Sequence, residues 1–407
     1  MQYESLSLSN GIRIIHLPSN SPVSYCGFAI NAGTRDEHTN QFGLAHFVEH
    51  MLFKGTKKRK PWHILNRMEN VGGELNAYTT KEETFLYTVC LSDDVERAIE
   101  LLSDLVFNSL FTETEINKER KVIIDEINSY RDNPSELIFD EFENQLFKGN
   151  DIGHNILGDE KSLNTFTSQS FHEFVNRLYL PENLVFFSYG KTPFSKITRL
   201  ANKYMLHDKH YPTLSLNRKA PEQITTQQKR KNKKLHQTHV IVGSRGYSLF
   251  NEKRIGLYFL NNILGGPGMN SRLNISLREK HGLVYTVESG LTTYTDTGVF
   301  SIYFGCDPES RDKCLELTYK ELKKLRETKL TTQQLSSATK QLKGQMGIAS
   351  DNSENIALSM GKSFLHLNRY DTLQQVYQKI DTLTAEQLLE IANEVLDENG
   401  LFRLEYQ

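Results

Sequence analysis

The chain has 407 residues, of which 38% are hydrophobic and 24% are charged, and its formal net charge is −2. This length exceeds one ordinary hydrophobic core and predicts at least two large domains, while the composition is that of a soluble globular protein. The nearly balanced charge excludes a bulk electrostatic attraction to nucleic acid, and we interpret the one basic run, at residues 229–234, as part of a solvated linker.

The four cysteines lie far apart, without the spacing of a metal site, at Cys26, Cys90, Cys306 and Cys314. They are too few to cross-link a chain of this length, so we expect free buried thiols in a reducing compartment. The first ten residues have no leader pattern, and no apolar run approaches the length of a membrane span. We therefore expect a cytoplasmic protein without membrane contact.

Two predicted strands, at residues 12–17 and 23–32, lead into a helix between Gly43 and Gly55. The strand segments are rich in β-branched and aromatic residues, whereas the apolar residues of the helix recur at helical spacing without an intervening proline. A helix with this pattern is expected to be buried.

This helix carries the sequence His46-Phe-Val-Glu49-His50. Residues i and i+4 lie on the same face of a helix, so the two imidazoles could hold one metal ion. Glu49 lies on the same side, where it could accept a proton instead of binding the metal. The pattern is the inverted zinc-protease motif, although two structural histidines are the alternative interpretation. A catalytic zinc site needs a third protein ligand.

Helices and strands then alternate, with a helix at residues 61–71, strands at 74–78 and 84–91, and helices at 93–108 and 112–131. The last helix carries five acidic residues, which are Glu113, Glu115, Glu119, Asp125 and Glu126. Glu119 and Glu126 are seven residues apart, two helical turns, and so share one face. Spacing alone does not select a metal ligand among the five.

The zinc motif and the segment Glu119-Arg-Lys-Val-Ile-Ile-Asp-Glu126-Ile, whose Glu126 follows His50 by 76 residues, resemble the pitrilysin/insulinase metallopeptidases. That family includes the mitochondrial processing peptidases. The resemblance implies that His46, His50 and Glu126 bind one Zn²⁺ per chain and that Glu49 is the general base. It also implies that Glu119 orients a ligand histidine from outside the ligand shell.

The segment Gly72-Gly-Glu-Leu-Asn-Ala-Tyr-Thr79 is similar to the family's strand beside the zinc. On that strand a substrate peptide is held as an added β-strand, so the resemblance implies substrate-binding roles for Glu74, Asn76 and Ala77. An ordinary edge strand is the alternative. His154 lies in a second matching segment that we expect to be architectural, without a metal role.

The second half reads as a diverged copy of the first, which places a catalytic domain at 1–210, a linker at 211–234 and a second domain at 235–407. The copy is expected to contain a strand at 239–244, a helix at 254–264, strands at 282–291 and 299–306, and a helix at 310–325. Aligning the two helices places Leu257, Leu260 and Asn261 where the first half has its histidines and glutamate. The copy is therefore not expected to bind zinc.

A glycine-rich loop at residues 265–268 in this half lacks the Lys-Ser/Thr ending of a phosphate loop. Beyond it, Arg278 and Tyr285 resemble the pair with which the family binds substrate main chain and stabilises the oxyanion. The resemblance therefore implies that this second domain contributes to catalysis.

The resemblance implies an α+β fold of two homologous α/β domains, each an antiparallel-rich sheet packed against helices, together forming half of a clamshell. A two-domain chain is then expected to dimerise, and we favour a homodimer in which Arg278 and Tyr285 of one chain complete the zinc site of the other. A heterodimer with an inactive relative is the alternative.

The implied function is a zinc-dependent endopeptidase that hydrolyses peptides or unfolded segments inside the dimeric chamber. Two other functions fit the sequence less well. The intact zinc motif argues against a non-catalytic binding subunit of the same fold, and the peptide-binding strand argues against a different zinc hydrolase such as an amidase.

Overall fold

The structure, a computed structural model, describes residues 2–206, 211–214, 216–222 and 228–407. The strands are β1 (Glu4–Ser7), β2 (Arg13–Pro18), β3 (Val23–Ile30), β4 (Glu74–Thr79), β5 (Thr84–Leu91), β6 (Leu184–Gly190), β7 (Gln228–Lys231), β8 (Thr238–Gly246), β9 (Val284–Thr293), β10 (Gly298–Cys306) and β11 (Phe402–Tyr406).

The helices are α1 (Leu44–Leu52), α2 (Pro61–Glu69), α3 (Val95–Asn108), α4 (Glu113–Arg131), α5 (Pro134–Leu146), α6 (Glu160–Leu163), α7 (Ser168–Leu178), α8 (Phe194–Met205), α9 (Arg254–Gly265), α10 (Arg311–Glu327), α11 (Thr332–Ala349), α12 (Ser353–Leu367), α13 (Leu373–Asp381) and α14 (Ala385–Val395). A π-helical segment, Asn274–Glu279, lies between α9 and β9. The predicted elements are present, and none of their ends is shifted by more than three residues.

The first compact unit is built on a six-stranded sheet with the order β1-β2-β6-β3-β5-β4. Alternate residues of its strands point to opposite faces, so Phe28 joins one hydrophobic cluster and Ala29 another. The first cluster includes residues of α1, α3, α7 and α8, and the second includes residues of α12. Both faces of this sheet are therefore covered by helices.

Helix α12 approaches this sheet closely at Gly361, where an added Cβ would lie 2.8 Å from the ring of Phe187. The guanidinium of Arg13 donates hydrogen bonds to the carbonyl oxygens of Phe364 and Leu365, each at 3.1 Å. The bond to Leu365 satisfies a carbonyl in the last turn of α12, whereas the carbonyl of Phe364 also accepts the backbone N–H of Asn368.

The second compact unit is built on a five-stranded sheet with the order β7-β11-β8-β10-β9. Ile241 packs with α5, whereas its neighbours Val240 and Val242 join a cluster that includes residues of α9, α10 and α14. The second sheet thus has the same three-layer arrangement of helices, sheet and helices.

The two sheets share one topology. The order β2-β6-β3-β5-β4 corresponds to β7-β11-β8-β10-β9, and each pair of neighbours runs in the same relative direction, parallel for the first pair and antiparallel for the rest. Helix α1 follows β3 as α9 follows β8. This confirms the predicted α+β fold with two homologous domains.

The compact units are not contiguous in sequence, in contrast to the predicted ranges 1–210 and 235–407. The first contains residues 1–128, 154–219 and 349–372, and the second contains 129–153, 220–348 and 373–407. Helix α5 packs on β8 and β11, whereas α12 packs on β2, β3 and β6. Each copy therefore contributes one helix to the core of the other unit, because the apolar face of that helix is buried there.

The predicted linker at 211–234 also differs from the structure. Residues 228–231 form β7, which pairs in parallel with β11, and Arg230 forms a 3.0 Å ion pair with Glu405. Strand pairing and charge neutralisation thus give order to part of the basic run. Positions 207–210, 215 and 223–227 lie outside the described residues.

The four cysteines are free and buried, as predicted. No helix in the described part of the chain is long and apolar enough to span a membrane.

A buried ion cluster connects α12 to the turn between β4 and β5. The carboxylate of Glu83 lies 2.7 Å from Nε2 of His366 and 3.0 Å from Nζ of Lys362. Burial alone would raise the pKa of Glu83, but His366, Lys362 and Thr80 together hold this pKa at about 2. The folded state therefore favours the ionised carboxylate.

We expect Glu83→Gln to lower the free energy of unfolding at neutral pH by about 3 kcal/mol, because the pKa of Glu83 falls from an ordinary 4.5 to about 2 on folding. This contribution is present above pH 4.5 and is lost as the pH falls towards 2. Urea unfolding at several pH values should show a shallower acid-dependent loss in the variant. Equal acid slopes in the two proteins would contradict the assignment.

Candidate metal centre

Helix α1 is fixed by its apolar face, which lies in the core of the first unit through Leu44, Phe47, Val48, Met51 and Leu52. It begins at Gly43, whose φ of 94° favours glycine and whose added Cβ would lie 2.6 Å from the carbonyl oxygen of Leu157. The helix is thus buried on one side and has a crowded start, which leaves little freedom in its position.

Glu37 caps the N-terminus of α1. The N-cap residue of this helix, Gly43, has no side chain that could do so. The buried carboxylate of Glu37 accepts hydrogen bonds from the backbone N–H groups of Gly43, at 2.9 Å, and Ala45, at 2.7 Å. Nε2 of His154 lies 2.9 Å from the same carboxylate. A negative group at a helix N-terminus satisfies free N–H groups and interacts favourably with the helix dipole. The architectural role expected of His154 agrees with this contact.

The imidazoles of His46 and His50 and the carboxylate of Glu126 converge. Nε2 of His46 lies 3.8 Å from one oxygen of Glu126, and Nε2 of His50 lies 3.6 Å from the other. The three potential ligand atoms all lie within 4.8 Å of one another. Within the described ranges, no other group of three such side chains meets this spacing.

The chemistry of this group fits zinc. Two imidazoles and one carboxylate form a known donor set of zinc hydrolases, and ligand atoms bound at about 2.1 Å in a tetrahedron lie roughly 3.4 Å apart. Burial, reinforced by the nearby His50, lowers the pKa of His46 to about 3, so this imidazole is neutral at physiological pH. A neutral imidazole is the form that binds metal.

Glu119 holds His50 from the side away from Glu126. Its carboxylate lies 2.9 Å from Nδ1 of His50 and 2.6 Å from Nζ of Lys54. Burial alone would raise the pKa of Glu119, but His50 and Lys54 hold this pKa below its ordinary value. A carboxylate on the outer nitrogen of a ligand histidine fixes the ring and its tautomer. Glu119 is therefore well placed to orient Nε2 of His50 towards Glu126.

The carboxylate of Glu49 has a different environment from those of Glu119 and Glu126. Glu49 is buried on α1, and this burial raises its pKa, with the charge of Glu126 acting in the same direction. The nearby Thr79 hydroxyl and His50 oppose the shift but do not reverse it. A raised carboxylate pKa is suited to proton transfer near neutral pH.

Strand β4, which contains Glu74, Asn76 and Ala77, is the edge of its sheet. It pairs only with β5 among the described strands, in the register Asn76 to Tyr87 and Ala77 to Leu86. It packs against α1 and ends at Thr79, beside Glu49. The predicted substrate strand therefore has one edge without a partner strand among the described residues, next to α1.

In the second unit, Arg278 and Tyr285 lie side by side. The guanidinium carbon is 5.8 Å from the centre of the phenol ring, and the side chain of Tyr285 is 84% exposed. The positions that correspond to His46, Glu49 and His50 are occupied otherwise, because Leu257 and Leu260 are buried in the core and Asn261 donates a hydrogen bond to the carbonyl oxygen of Ser289.

Comparison with known proteins places these observations in a family. Residues 14–160 match the family model "Insulinase (Peptidase family M16)", and residues 165–342 match the model "Peptidase M16 inactive domain". A protein of Rickettsia felis named as an uncharacterised zinc protease is 33% identical over 397 residues, covering 95% of this chain and 93% of the relative. The chain belongs to peptidase family M16. The resemblance found in the sequence motifs is confirmed.

Other M16 relatives span nearly the whole chain. An uncharacterised zinc protease of Bacillus subtilis, YmxG, is 30% identical over 96% of this chain and 95% of its own length. The mitochondrial-processing peptidase subunit beta of Bos taurus is also 30% identical, over 96% of this chain and 81% of its own length.

Two solved structures share the fold. One is a protease from Helicobacter pylori, with a TM-score of 0.91, 22% identity and coverage of 100% of this chain and 99% of that chain. The other is a peptidase M16 inactive domain from Pseudomonas fluorescens, with a TM-score of 0.92, 20% identity and coverage of 100% and 98%.

Two contributors to the site were missed in the sequence. Lys54 is four residues beyond His50 but two residues past the end of α1, so the helical spacing of the motif did not indicate its contact with Glu119. Glu37 precedes Gly43 by six residues and carries no local capping pattern, so its two bonds to the start of α1 were not predictable from spacing.

We expect Glu119→Gln to weaken zinc binding by about 10- to 100-fold, because an amide replaces the carboxylate that orients and polarises His50. Chelator competition would measure the dissociation constant. Glu115→Gln, which removes an equal charge from the exposed i,i+3 pair with Lys118 on the same helix, is the matched control and should bind zinc as the wild type does. Equal affinities for the two variants would rule out this role for Glu119.

Proposed function

We propose that this chain is a zinc-dependent endopeptidase that cleaves peptides and unfolded polypeptide segments. The observation that carries the proposal is the convergence of His46, His50 and Glu126 beside a buried Glu49 and a free sheet edge. Membership of family M16 and the zinc proteases among the relatives support it.

In this proposal His46, His50 and Glu126 hold one Zn²⁺ per chain, and Glu119 fixes the orientation of His50. When bound, the ion would lower the pKa of a water molecule and polarise the scissile carbonyl. The chain's contribution to this chemistry is two imidazoles and one carboxylate, held by two helices.

Strand β4 binds the substrate in extended form. Its unpaired backbone groups, near Asn76 and Ala77, would form main-chain hydrogen bonds with a peptide that adds to the sheet. Main-chain recognition requires an extended segment, so folded proteins are poor substrates. Glu74, exposed at the start of the strand, is available to contact one end of the peptide.

Glu49 is the general base. It accepts a proton from the attacking water and then passes that proton to the leaving amine, so that its raised pKa serves both steps. Arg278 and Tyr285 donate hydrogen bonds to the carbonyl oxygen as negative charge develops on it. Their proximity in the second unit supports a joint role.

We propose further that the working assembly is a homodimer with a chamber between the chains, in which Arg278 and Tyr285 of one chain serve the zinc site of the other. The support is that this chain retains both the zinc-site residues and the pair. Assembly with an inactive relative is the second candidate, favoured by the similarity to a processing-peptidase subunit. The free buried thiols support a cytoplasmic location.

We expect Glu49→Gln to retain about one zinc per chain and to lose peptide cleavage, because an amide cannot accept the proton. Metal analysis and cleavage of a mixed peptide library, with a chelator-treated wild-type sample, would measure both properties. Glu115→Gln should cleave normally. An active Glu49→Gln protein would exclude the general-base role, and wild-type protein without zinc would exclude the metal site.

We expect inactive Glu49→Gln and Arg278→Ala chains to regain activity when mixed, because one mixed dimer site would combine an intact zinc centre with an intact pair. Mixing Arg278→Ala with Tyr285→Phe is the control and should restore nothing, since both changes affect the same pair. Native mass spectrometry would verify subunit exchange. Exchange without recovery in the first mixture would contradict the shared site.

A further inference from the structure

A basic cavity lies in the second unit, apart from the residues assigned to peptide hydrolysis. Its volume is about 400 Å³, and its charged and hydroxyl-bearing lining residues include Arg272, Ser276, Lys280, Glu321, Lys324 and Lys329. Cavities that bind small molecules begin at roughly 300 Å³. The size and lining therefore fit a small polar ligand.

Arg272 is the unusual member of this lining. It is partly buried, and this burial lowers its pKa, with only partial compensation from the charge of Glu321. Across the described residues its guanidinium makes no hydrogen bond and no ion pair within 4 Å. Placing a guanidinium out of water without a partner costs free energy. An anionic ligand would supply the missing partner.

The remaining charges leave the cavity positive. Glu321 is already paired with Lys324, at 2.7 Å, and Lys329 is paired with Glu386, at 2.9 Å. Lys280, like Arg272, has no ion pair in the described part of the chain. Two cations of this cavity therefore have no ion pair within 4 Å among the described residues, with Glu321 offsetting Arg272 only in part, and together they match a dianion.

A second cavity of about 380 Å³ shares Arg272 and Gln334 with the first. Its other polar lining is uncharged and includes Asn270, Ser271 and Gln341. The Oγ atom of Ser271 is buried and has no hydrogen-bond partner among the described residues. A ligand in this cavity would meet hydroxyl and amide groups instead of charges.

The residues that follow the glycine-rich loop, Asn270 to Arg272, form part of the wall of this second cavity. Asn270, which follows the loop, exchanges two hydrogen bonds with Gln341 of α11, at 3.0 and 3.1 Å. This pairing holds the loop against the helix and so keeps Ser271 and Arg272 at the junction of the two cavities. The loop thus has a structural role beside a basic site.

We propose that the two cavities bind a phosphomonoester, with its phosphate held by Arg272 and Lys280 in the first cavity and its uncharged polar part in the second. The planar guanidinium offers two parallel N–H donors to phosphate oxygens, a geometry that lysine lacks. Ser276 adds a hydroxyl next to the phosphate position. Free inorganic phosphate presents the same chemistry and would occupy the first cavity alone.

Isothermal titration of the full chain with inorganic phosphate, ribose 5-phosphate and ribose tests the site. Saturable binding of the two phosphates is expected, and Arg272→Gln should weaken it by at least about tenfold, because a charge-assisted bidentate contact is lost. Arg272→Lys keeps the charge but loses the two parallel N–H donors of the guanidinium, so it should give an intermediate affinity. Lys323→Gln removes an equal charge outside the lining and should bind as the wild type does.

Tighter binding of the ester than of phosphate would identify a phosphorylated molecule as the ligand, and equal affinities would identify the free anion.

Arg272→Gln without ligand should unfold at a temperature no lower than Lys323→Gln, because it relieves an unpaired buried charge. A lower temperature would make Arg272 a structural residue and overturn the proposal. Absence of saturable binding, or equal binding by Arg272→Gln, would also overturn it.

Discussion

Burial of one face of α1 is the interaction on which the candidate metal centre depends. Apolar side chains recurring along that face lie in the core of the first unit, so the positions of His46, Glu49 and His50 follow from close packing instead of from their own contacts. Glu37 strengthens this arrangement at the helix start by satisfying two N–H groups. A helix held in this way can present charged and titratable groups to one point without losing its position.

The electrostatics of the centre favour a divalent cation. Three carboxylates, those of Glu49, Glu119 and Glu126, surround the imidazoles, and Lys54 supplies one ammonium. Burial alone would lower the pKa of His50, but Glu119, Glu49 and Glu126 together raise this pKa, so the surrounding carboxylates favour positive charge at this point. The same helix α4 provides both Glu119 and Glu126, two turns apart, so its long-range packing against α1 sets the inner and outer partners of His50 together.

The internal duplication shows how one topology supports different chemistry. The corresponding helices α1 and α9 follow the same strand of their sheets, yet α9 presents leucines and an asparagine bonded to β9 where α1 presents its histidines and glutamate. The second copy has instead a positively charged cavity around Arg272. The exchange of α5 and α12 between the units gives each core a helix from the other copy, so neither copy completes its three layers alone.

The sequence by itself determined the main strands and helices of residues 12–131 and 239–325, the duplication, the pairing of His46 with His50 on one helix face, and, through the motifs, the family. These features depend on short-range periodicity and fixed spacing, which can be seen directly in the amino-acid sequence. Only the tertiary structure brought Glu126, among five acidic residues of α4, beside the two imidazoles, exchanged α5 and α12 between units, formed β7 from the expected linker, and placed Glu37 at the start of α1. Each of these features depends on a contact between residues that are far apart in the sequence. No local sequence pattern identifies the partner in such a contact.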